Sequence, residues 1–463
     1  MKATLVSLRQ SESARLAGAP QLTPELLAAS GARYSRNNEG LEAILSKVDP
    51  ENPDKSVDSI FKMIDYGHQS IADMVPVSIF IDEISIWLAY LIWSQCPTAG
   101  GQESSTRYVK LSSDGVVSPD LFGVPDAEVS KWKEFLEGAF HFYTEALQFW
   151  ERVAEERPEV MRIPQSLLDD PTEKAQKQVA RMRRNFAFDR SRYFLPVCAL
   201  TNMMLVMSAR GWVQLCQYLH SHYHPEARIL GRLVTEQLRL EAPRLIKHAK
   251  EQPETVAGLK EEFDSYSMLC TAREARRFDP QATSRAEVQL LPPPGATDDL
   301  LSNSFRHHSH RYAYIAEPLR STLIRFGWEA VSIAEIRDLN RHRTGTKYCP
   351  AVPIGFYLAQ DEAQRLGLEL PSSFYDFGQE RLFETRRKLA DRETSYSSLL
   401  LLGHEFEFWH STTFDKYVYE VELRTGTGAH YRYAKHLIAS VDQLSLKFPK
   451  TGKMIAIGSA EPE

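Results

Sequence analysis

The sequence predicts an α/β protein, α+β in stricter terms, made of two related domains. The chain has 463 residues, a length that suggests two domains. It contains an alternating pattern typical of a strand at residues 75–81 and an amphipathic stripe typical of a helix at residues 130–156. After a loop-rich stretch at residues 276–299, which includes three consecutive prolines, the order of segments is loosely repeated. We therefore predict a first domain over residues 1–275, a linker over 276–299 and a second domain over 300–463.

Helices and strands are predicted mainly in the first half of the chain. Residues 56–66 have apolar side chains at helical spacing, with Ser56 as a plausible N-cap and Gly67 as a plausible stop. Residues 130–156 place eight apolar side chains on one stripe: Trp132, Phe135, Leu136, Ala139, Phe142, Tyr143, Ala146 and Trp150. Residues 194–219 indicate a strand or turn that leads into a buried helix, and a further helix is predicted at about residues 226–249.

The repeat rests on two pairs of segments. Residues 327–350 have the order of residues 80–108, an apolar stretch followed by a polar and basic one. Residues 409–438 occupy the place that residues 195–230 have in the first half. Two related domains in one chain are the simplest interpretation of this order.

Composition and charge exclude several classes of protein. The net charge of −6 argues against binding to nucleic-acid phosphates, which requires a basic surface. Five scattered cysteines without a CxxC pair indicate a reducing compartment rather than a disulfide framework or a cysteine zinc site. The N-terminal residues lack the apolar core of a signal peptide, and the apolar runs, about ten residues long, are too short to span a bilayer. We predict a cytoplasmic protein with neither a nucleic-acid nor a membrane partner.

The sharpest polar cluster is the triplet Arg341, His342 and Arg343. Two guanidinium groups beside an imidazole form a cationic surface rich in donors, and arginine forks suit phosphates and carbonyl edges. The alternative is a solvated basic patch that pairs with Glu335 and Asp338.

A second polar cluster is the sequence QESSTRY at residues 102–108, which follows the apolar run ISIWLAYLIW. Its hydroxyl groups, its arginine and the backbone N–H groups of a turn entered through glycine could hold a phosphate and a sugar. The alternative is a polar loop in which Arg107 pairs with Glu103.

Together these segments resemble the flavin-dependent thymidylate synthases, the ThyX family. In that family a GHxS element precedes an RHR triplet, and a loop of the form [N/Q]ExSxRY follows. GHQSIAD at 67–73 resembles the first element and QESSTRY at 102–108 the last, while GARYS at 31–35 is similar to an early segment whose serine contacts the flavin. Residues 195–219 and PEAR at 225–228 resemble later family segments. The resemblance covers most of residues 20–245, apart from a divergent segment at 110–190.

The two halves depart from the family pattern in complementary ways. In the first half the place of RHR falls near residues 93–96, which contain neither arginine nor histidine, and the flavin-side residues read QYL at 217–219. The second half contains RHR and the sequence YEVELRTGTGAHYRY at 419–433, but it lacks the SxRY loop. The resemblance therefore implies composite sites, in which the loop of one half meets the RHR triplet of the other.

The resemblance implies a reaction and a set of roles. The reaction is reductive methylation of dUMP to dTMP with methylenetetrahydrofolate, FAD and NADPH, and each domain would be a layer of helices on a small twisted sheet. Arg228, Arg107 and Ser105 would be catalytic. The substrate would be held by Gln102, Glu103, Ser104, Ser105, Thr106, Arg107, Tyr108, Arg228 and Arg341. The flavin would be held by Ser35, His68, Ser70, Arg341, His342, Arg343, Glu422 and Arg424. Because family members are homotetramers, a homodimer of this chain would form a pseudo-tetramer.

Other interpretations stay open at this stage. The protein could be a catalytically inactive, nucleotide-binding homologue, or it could modify another pyrimidine nucleotide at C5. Modification of RNA or DNA pyrimidines is a weaker alternative, because the chain is acidic. The histidine-rich sequences HSHYH at 220–224 and RHHSH at 306–310 lack carboxylate or cysteine partners at ligand spacing, so we predict no metal site.

Overall fold

The computed structural model of the chain describes residues 1–6, 22–34, 40–49, 51–62, 70–96, 99–108, 110–276 and 285–459. Every strand pair in these residues is antiparallel and helices are abundant, so the predicted mixed class is confirmed in its α+β form. The strands are β1 (Lys2–Val6), β2 (Pro76–Ser85), β3 (Gly100–Glu103), β4 (Leu200–Ser208), β5 (Ala286–Leu291), β6 (Leu323–Ser332), β7 (Thr346–Tyr348), β8 (Gly355–Phe356) and β9 (His404–Thr413).

Helices fill the rest of the regular structure. In chain order they are α1 (Pro24–Tyr34), α2 (Leu41–Leu45), α3 (Pro53–Phe61), α4 (Ser70–Asp73), α5 (Ile86–Gln95), α6 (Val129–Glu156), α7 (Gln165–Leu168), α8 (Glu173–Ser191), α9 (Ala209–Ser221), α10 (Pro225–Leu238), α11 (Pro253–Ala272), α12 (Asp298–Asn303), α13 (Glu317–Arg320), α14 (Ile333–Leu339), α15 (Gln360–Arg365), α16 (Ser372–Ala390), α17 (Phe414–Arg424), α18 (Tyr431–Lys447) and α19 (Pro449–Lys453). The predicted helix at residues 130–156 and the strand at 75–81 are confirmed by α6 and β2.

The chain forms two compact units, each of them discontinuous in sequence. The first contains residues 1–104, 116–123 and 200–263, and the second contains residues 105–115, 124–199 and 264–463. The sequence predicts two related halves that are separated at residues 276–299. The compact units do not test this relatedness, so the division stays a prediction.

The first unit is built on a four-stranded sheet in the order β1-β2-β4-β3. Helix α5 follows β2 directly because the Ser85 side chain caps it by accepting a hydrogen bond from Leu88 N at 2.9 Å. The buried carboxylate of Glu226 on α10 accepts bonds from Ser85 N and Oγ at 2.7 and 2.6 Å. This contact fixes the start of α10 to the start of α5.

The second unit is built on a sheet in the order β5-β6-β9-β7, with β8 also paired to β9. Helix α18 packs on this sheet, where Trp328 Nε1 donates to His436 O at 3.0 Å. Helix α6 buries its apolar stripe in the same unit, and Trp132 Nε1 donates to Ser398 O at 3.0 Å.

The two sheets share strand order, register and one irregularity. In the first sheet Pro76 pairs with Ser208, and the register shifts between Ile81 and Ile84. In the second sheet Leu323 pairs with Thr413, and the register shifts between Trp328 and Val331. Both shifts come after the same number of paired residues. In both sheets the central pair continues into one helix after each strand: α5 and α9 in the first, α14 and α17 in the second.

Three local predictions were wrong. Residues 286–291, expected to be part of a loop-rich linker, form β5 and pair with β6, because AEVQLL alternates between the two faces of the sheet. Helix α3 begins earlier than Ser56, since Asn52 caps it by accepting a bond from Lys55 N at 3.3 Å; the predicted stop at Gly67 lies outside the described residues. The helix expected at about residues 226–249 ends at Leu238.

Among the helices of the described residues, none combines the length and the apolar character that a membrane span requires.

Candidate functional site

The RHR triplet follows directly after a short buried helix in the second unit. Helix α14 begins after Ser332 and ends at Leu339, and Arg341, His342 and Arg343 come next. The backbone then turns at Gly345, where φ is +76°, and enters β7. Because the left-handed region favours glycine, this turn fixes the direction in which the triplet leaves the helix.

The triplet lines an open pocket of about 700 Å³. Six cationic side chains line this pocket against one carboxylate, Asp415, and three tyrosines lie among them. The cations are Arg311, Arg320, Arg341, Arg343, Lys416 and Arg424, and the tyrosines are Tyr312, Tyr314 and Tyr419. Such a lining suits a ligand that has both negative charge and aromatic rings.

His342 is held as a neutral hydrogen-bond acceptor. Arg424 Nε donates to His342 Nε2 at 2.7 Å, so the ring proton lies on Nδ1. Burial lowers the pKa of His342 to about 4 and outweighs the opposing charge of Glu420. The backbone oxygen of His342 accepts a bond from Lys347 Nζ. The imidazole therefore positions Arg424 at the pocket wall.

Asp338 lies behind the pocket and is surrounded by arginines. Arg192 Nη1 is 3.4 Å from Asp338 Oδ2, and Arg341 Nη1 is 3.8 Å from Oδ1. Arg424 Nη2 donates to the backbone oxygen of Asp338 at 3.1 Å. Burial alone would raise the pKa of Asp338, but the charges of Arg192, Arg341, Arg107 and Arg424 lower it well below its usual range. The negative charge of this one buried carboxylate thus faces the positive charges of arginines from four separate segments of the chain.

Arg107 is firmly held within the second unit. Its Nε and Nη2 donate to the two carboxylate oxygens of Asp189 at 2.7 and 2.9 Å, and its Nη1 donates to Gly428 O at 3.0 Å. Burial alone would lower the pKa of Arg107, but Asp189 raises it. Beside it lies a cavity of about 60 Å³, also lined by Tyr108 and Arg190. The alternative partner considered for Arg107, Glu103, instead accepts a bond from Trp93 Nε1 at 3.0 Å.

The rest of the 102–108 loop is divided between the units. Gln102 and Ser104 are exposed residues of the first unit, and Ser104 N donates to Asn202 O at 2.9 Å. In the second unit, Ser105 Oγ accepts a bond from Arg107 N at 3.2 Å. Thr106 is buried, and its hydroxyl accepts a bond from Arg337 Nη1 at 3.3 Å.

Other predicted site residues lie elsewhere. Arg228, expected to be a buried arginine, is exposed in the first unit, because α10 turns it outward and its Nε donates to His222 O at 2.7 Å. Ser70 is exposed at the start of α4. Glu422 is buried and accepts bonds from His308 Nε2 at 3.0 Å and Ala456 N at 3.2 Å. Ser35 and His68 lie outside the described residues.

Sequence reasoning missed several residues that shape the site. Arg311, Tyr312 and Tyr419 line the pocket, and Asp189 holds Arg107. Arg311 and Tyr312 directly follow the RHHSH sequence, which was considered only as a metal site. Among the described residues, no group of three or more His, Cys, Asp or Glu side chains could hold a metal ion.

Comparison with known proteins supports the family resemblance. A profile of the family described as thymidylate synthase complementing protein matches residues 20–244. These residues, just under half of the chain, match this family. The resemblance to the ThyX family, drawn from the sequence motifs, is therefore confirmed.

Individual proteins that resemble this chain have low sequence identity to it. The UPF0159 protein Ta1429 of Thermoplasma acidophilum is 26% identical over 249 residues, which are 48% of this chain and 48% of that protein. The chain thus spans about half the length of this curated relative. A crystal structure of a UMP/dUMP methylase, PolB from Streptomyces cacaoi bound with 5-Br dUMP, matches 53% of this chain and 94% of that chain, at 14% identity and a TM-score of 0.32.

The residues of the large pocket fit the flavin that the resemblance to the ThyX family implies. The pyrophosphate of FAD is anionic, and the pocket has six cationic side chains. The Nε of Arg341 is buried and makes no hydrogen bond within the described part of the chain. A buried donor without a partner is costly, so an acceptor supplied by a ligand would satisfy it.

Proposed function

We propose that the protein is a flavin-dependent, thymidylate synthase-like enzyme that methylates dUMP at C5. Its substrates would be dUMP, methylenetetrahydrofolate and NADPH, and its cofactor FAD. The observation that carries this proposal is the grouping of Arg341, His342, Arg343 and Arg424 around one cationic pocket of about 700 Å³ in a chain that matches this family. Its location in the cytoplasm stays a prediction from the cysteine pattern.

Each residue would act by position and charge. Bound FAD supplies hydride transfer, which side chains cannot perform. Arg341, Arg343 and Arg424 would neutralise its phosphates, and the tyrosines of the pocket would contact its rings. Neutral His342 would keep Arg424 in place through the 2.7 Å bond.

The nucleotide would be held by the 105–108 loop and by arginines. The contacts of Arg107 with Asp189 and Gly428 use three of its five N–H groups, so two stay available for a phosphate. Ser105 would add a hydroxyl. The role of Arg228, to stabilise the negative charge that develops on the uracil ring when C5 becomes nucleophilic, stays a prediction from the family resemblance.

We further propose that the two sheets descend from one ThyX-like domain. The shared strand order, the equal register and the common irregularity support this origin. A homodimer would then provide four sheets, in the manner of a family homotetramer. Only part of its sites would be complete, because each half has lost a different part of the motif.

The first experiment is a titration of the purified full-length protein with FAD, followed by absorption spectroscopy without oxygen. We expect a bound-flavin spectrum that bleaches with NADPH, and bleaches faster when dUMP is present. The variant Arg341→Ala should bind FAD about tenfold or more weakly, because a charged hydrogen bond contributes about 1.5–3 kcal/mol. Arg387→Ala removes an exposed arginine that pairs with Asp391 at 3.5 Å, and it should bind FAD normally.

The alternatives give different outcomes. A protein that binds dUMP but never retains flavin would be the inactive, nucleotide-binding homologue. A protein that retains flavin and bleaches faster with another pyrimidine nucleotide than with dUMP would modify that nucleotide instead. Absence of both flavin and nucleotide binding would overturn the proposal.

A further inference from the structure

A continuous chain of buried oxygen atoms runs through the second unit. Tyr193 Oη lies 2.9 Å from Glu335 Oε1 and 3.3 Å from Tyr431 Oη. Tyr357 Oη lies 3.2 Å from Tyr431 Oη and 2.5 Å from Asp361 Oδ1. Glu335 and the tyrosines are buried, whereas the Asp361 side chain is 17% exposed. Three phenols thus connect an internal carboxyl group to one that reaches solvent.

This row of hydrogen-bonded oxygen atoms needs one more proton than its three phenols provide. It has four oxygen–oxygen contacts, and the three tyrosines supply three hydroxyl protons. If both carboxyl groups were ionised, Tyr193 would donate to Glu335 and Tyr357 to Asp361. The single proton of Tyr431 could then serve only one of its two neighbours. A proton on one carboxyl group completes every contact.

Asp361 is not the group that holds this proton. Arg432 Nη1 and Lys435 Nζ each lie 3.0 Å from Asp361 Oδ2. Burial alone would raise the pKa of Asp361, but these two cations lower it. Asp361 is therefore the ionised end of the chain.

Glu335 has the opposite surroundings. The nearest cation is Arg192, whose Nη2 is 3.7 Å from Glu335 Oε1 and which also pairs with Asp338. Ser332 Oγ donates to Glu335 Oε2 at 2.5 Å, which leaves Oε1 to bear the proton. Arg432 of α18 also faces the carboxyl group, and both arginines oppose protonation, yet burial outweighs them and raises the pKa of Glu335 to about 7.

We propose that these five groups form a proton relay, in which Glu335 is the buried acid and Asp361 is the exit to solvent. In one transfer, the O–H bond of Glu335 breaks as Tyr193 gains the proton. Tyr193 passes its own proton to Tyr431, Tyr431 passes its own to Tyr357, and a new O–H bond forms on Asp361, which releases the proton to water. The net change is one proton moved, with no electron transferred and no co-reactant. Arg192 compensates the carboxylate left on Glu335.

The relay begins on α14, the helix that precedes the RHR triplet. Replacement of hydrogen at C5 of uracil by a methyl group releases that hydrogen as a proton, and the relay would return it to water. This use rests on the proposed function, whereas the relay itself does not.

Infrared spectroscopy of the full-length protein, without substrate or flavin, tests the relay. At a pH below the value of about 7 given above, we expect the carbonyl band of a protonated carboxyl group, and its loss in Glu335→Gln. Glutamine keeps a donor for Tyr193 and an acceptor for Ser332. In heavy water the band should shift at once in the unaltered protein. In Tyr431→Phe the band should persist but shift slowly, because the path to Asp361 is cut.

Tyr417→Phe is the matched control, since Tyr417 is a buried tyrosine outside the relay that bonds Ser440 Oγ at 2.8 Å. It should change neither the band nor its exchange. If Tyr431→Phe does not fold, Tyr357→Phe cuts the chain beside Asp361 and should give the same slow shift. A band that Glu335→Gln does not remove, or equally fast exchange in the cut and uncut proteins, would overturn the relay. Neither result depends on methylation activity.

Discussion

At the scale of single residues, Arg107 shows how a substrate motif is tied into the fold. The resemblance assigns this arginine to a nucleotide phosphate, and in the structure it forms a two-pronged pair with Asp189. Asp189 is 82 residues away in the chain, at the end of the segment at 110–190 that the sequence motifs mark as divergent. A bidentate pair fixes the plane of the guanidinium group. The pair therefore sets the direction from which the remaining N–H groups can meet a ligand.

Removal of one partner of this pair should be strongly destabilising. We expect Arg107→Ala and Asp189→Ala each to lower the free energy of unfolding by about 3–5 kcal/mol, because each leaves a buried charge without its partner. The double variant Arg107→Met/Asp189→Leu should recover most of that loss, since it leaves neither charge unpaired. Urea unfolding followed by circular dichroism measures the three differences. Additive losses in the double variant would contradict the pairing.

At the scale of elements, the turn between α14 and β7 decides where the RHR triplet lies. Gly345 has a φ of +76°, and a side chain built there would collide with the backbone oxygen of Ser411 on β9. Gly367 also has a positive φ, of +64°, but a side chain there would meet nothing within 4 Å. A substitution at Gly367 therefore introduces backbone strain alone, whereas a substitution at Gly345 introduces both backbone strain and a collision.

We expect Gly345→Ala to be more damaging than Gly367→Ala. The left-handed conformation alone should cost each variant about 1–2 kcal/mol. The collision at Gly345 should add about 1–3 kcal/mol and shift the triplet, so FAD affinity should fall as well. Thermal unfolding and FAD titration of both variants test this. Equal loss of stability with unchanged FAD affinity would show that the turn does not position the triplet.

Elements also show which features the sequence could predict. Helix α6 could be predicted because its apolar stripe is long and regular. Arg341, Arg343 and Arg424, which line one pocket, stand in motifs that the sequence shows, and their role toward flavin stays a prediction. Strand β5 was missed because it is short, it lies at a sheet edge and three prolines follow it. The pairing of Asp338 with Arg341, three residues away, was the alternative considered from the sequence. The pairs Arg107–Asp189 and Arg192–Asp338 could not be assigned, because tertiary pairing between distant segments leaves no local pattern.

At the scale of the whole molecule, the two sheets have the same plan but different pockets. On α17, Lys416 and Arg424 line the large pocket, three and eleven residues after Thr413. The same positions after Ser208 on α9 are Gly211 and Leu219. The first unit has a smaller pocket of about 150 Å³ beside α9, where Arg210 pairs with Asp73 at 2.8 Å. Loss of cations in the first unit would remove its capacity to hold a dinucleotide.

This difference predicts how much flavin each chain binds. We expect one FAD per chain, because the large pocket of the second unit gathers six cations against one carboxylate. The measurement is the flavin absorbance of protein freed from excess FAD, with the chain concentration from amino-acid analysis and the mass of the assembly from light scattering. A dimer would then contain two flavins, whereas an undiverged homotetramer of the family pattern would offer four such sites. Arg424→Ala should reduce the amount of FAD bound per chain, because it damages this single site. Arg210→Ala, on the corresponding helix of the first unit, should leave the amount of bound FAD unchanged. Two flavins per chain, or a loss caused by Arg210→Ala, would show that the first unit has kept a working pocket and that the two halves have not divided the site between them.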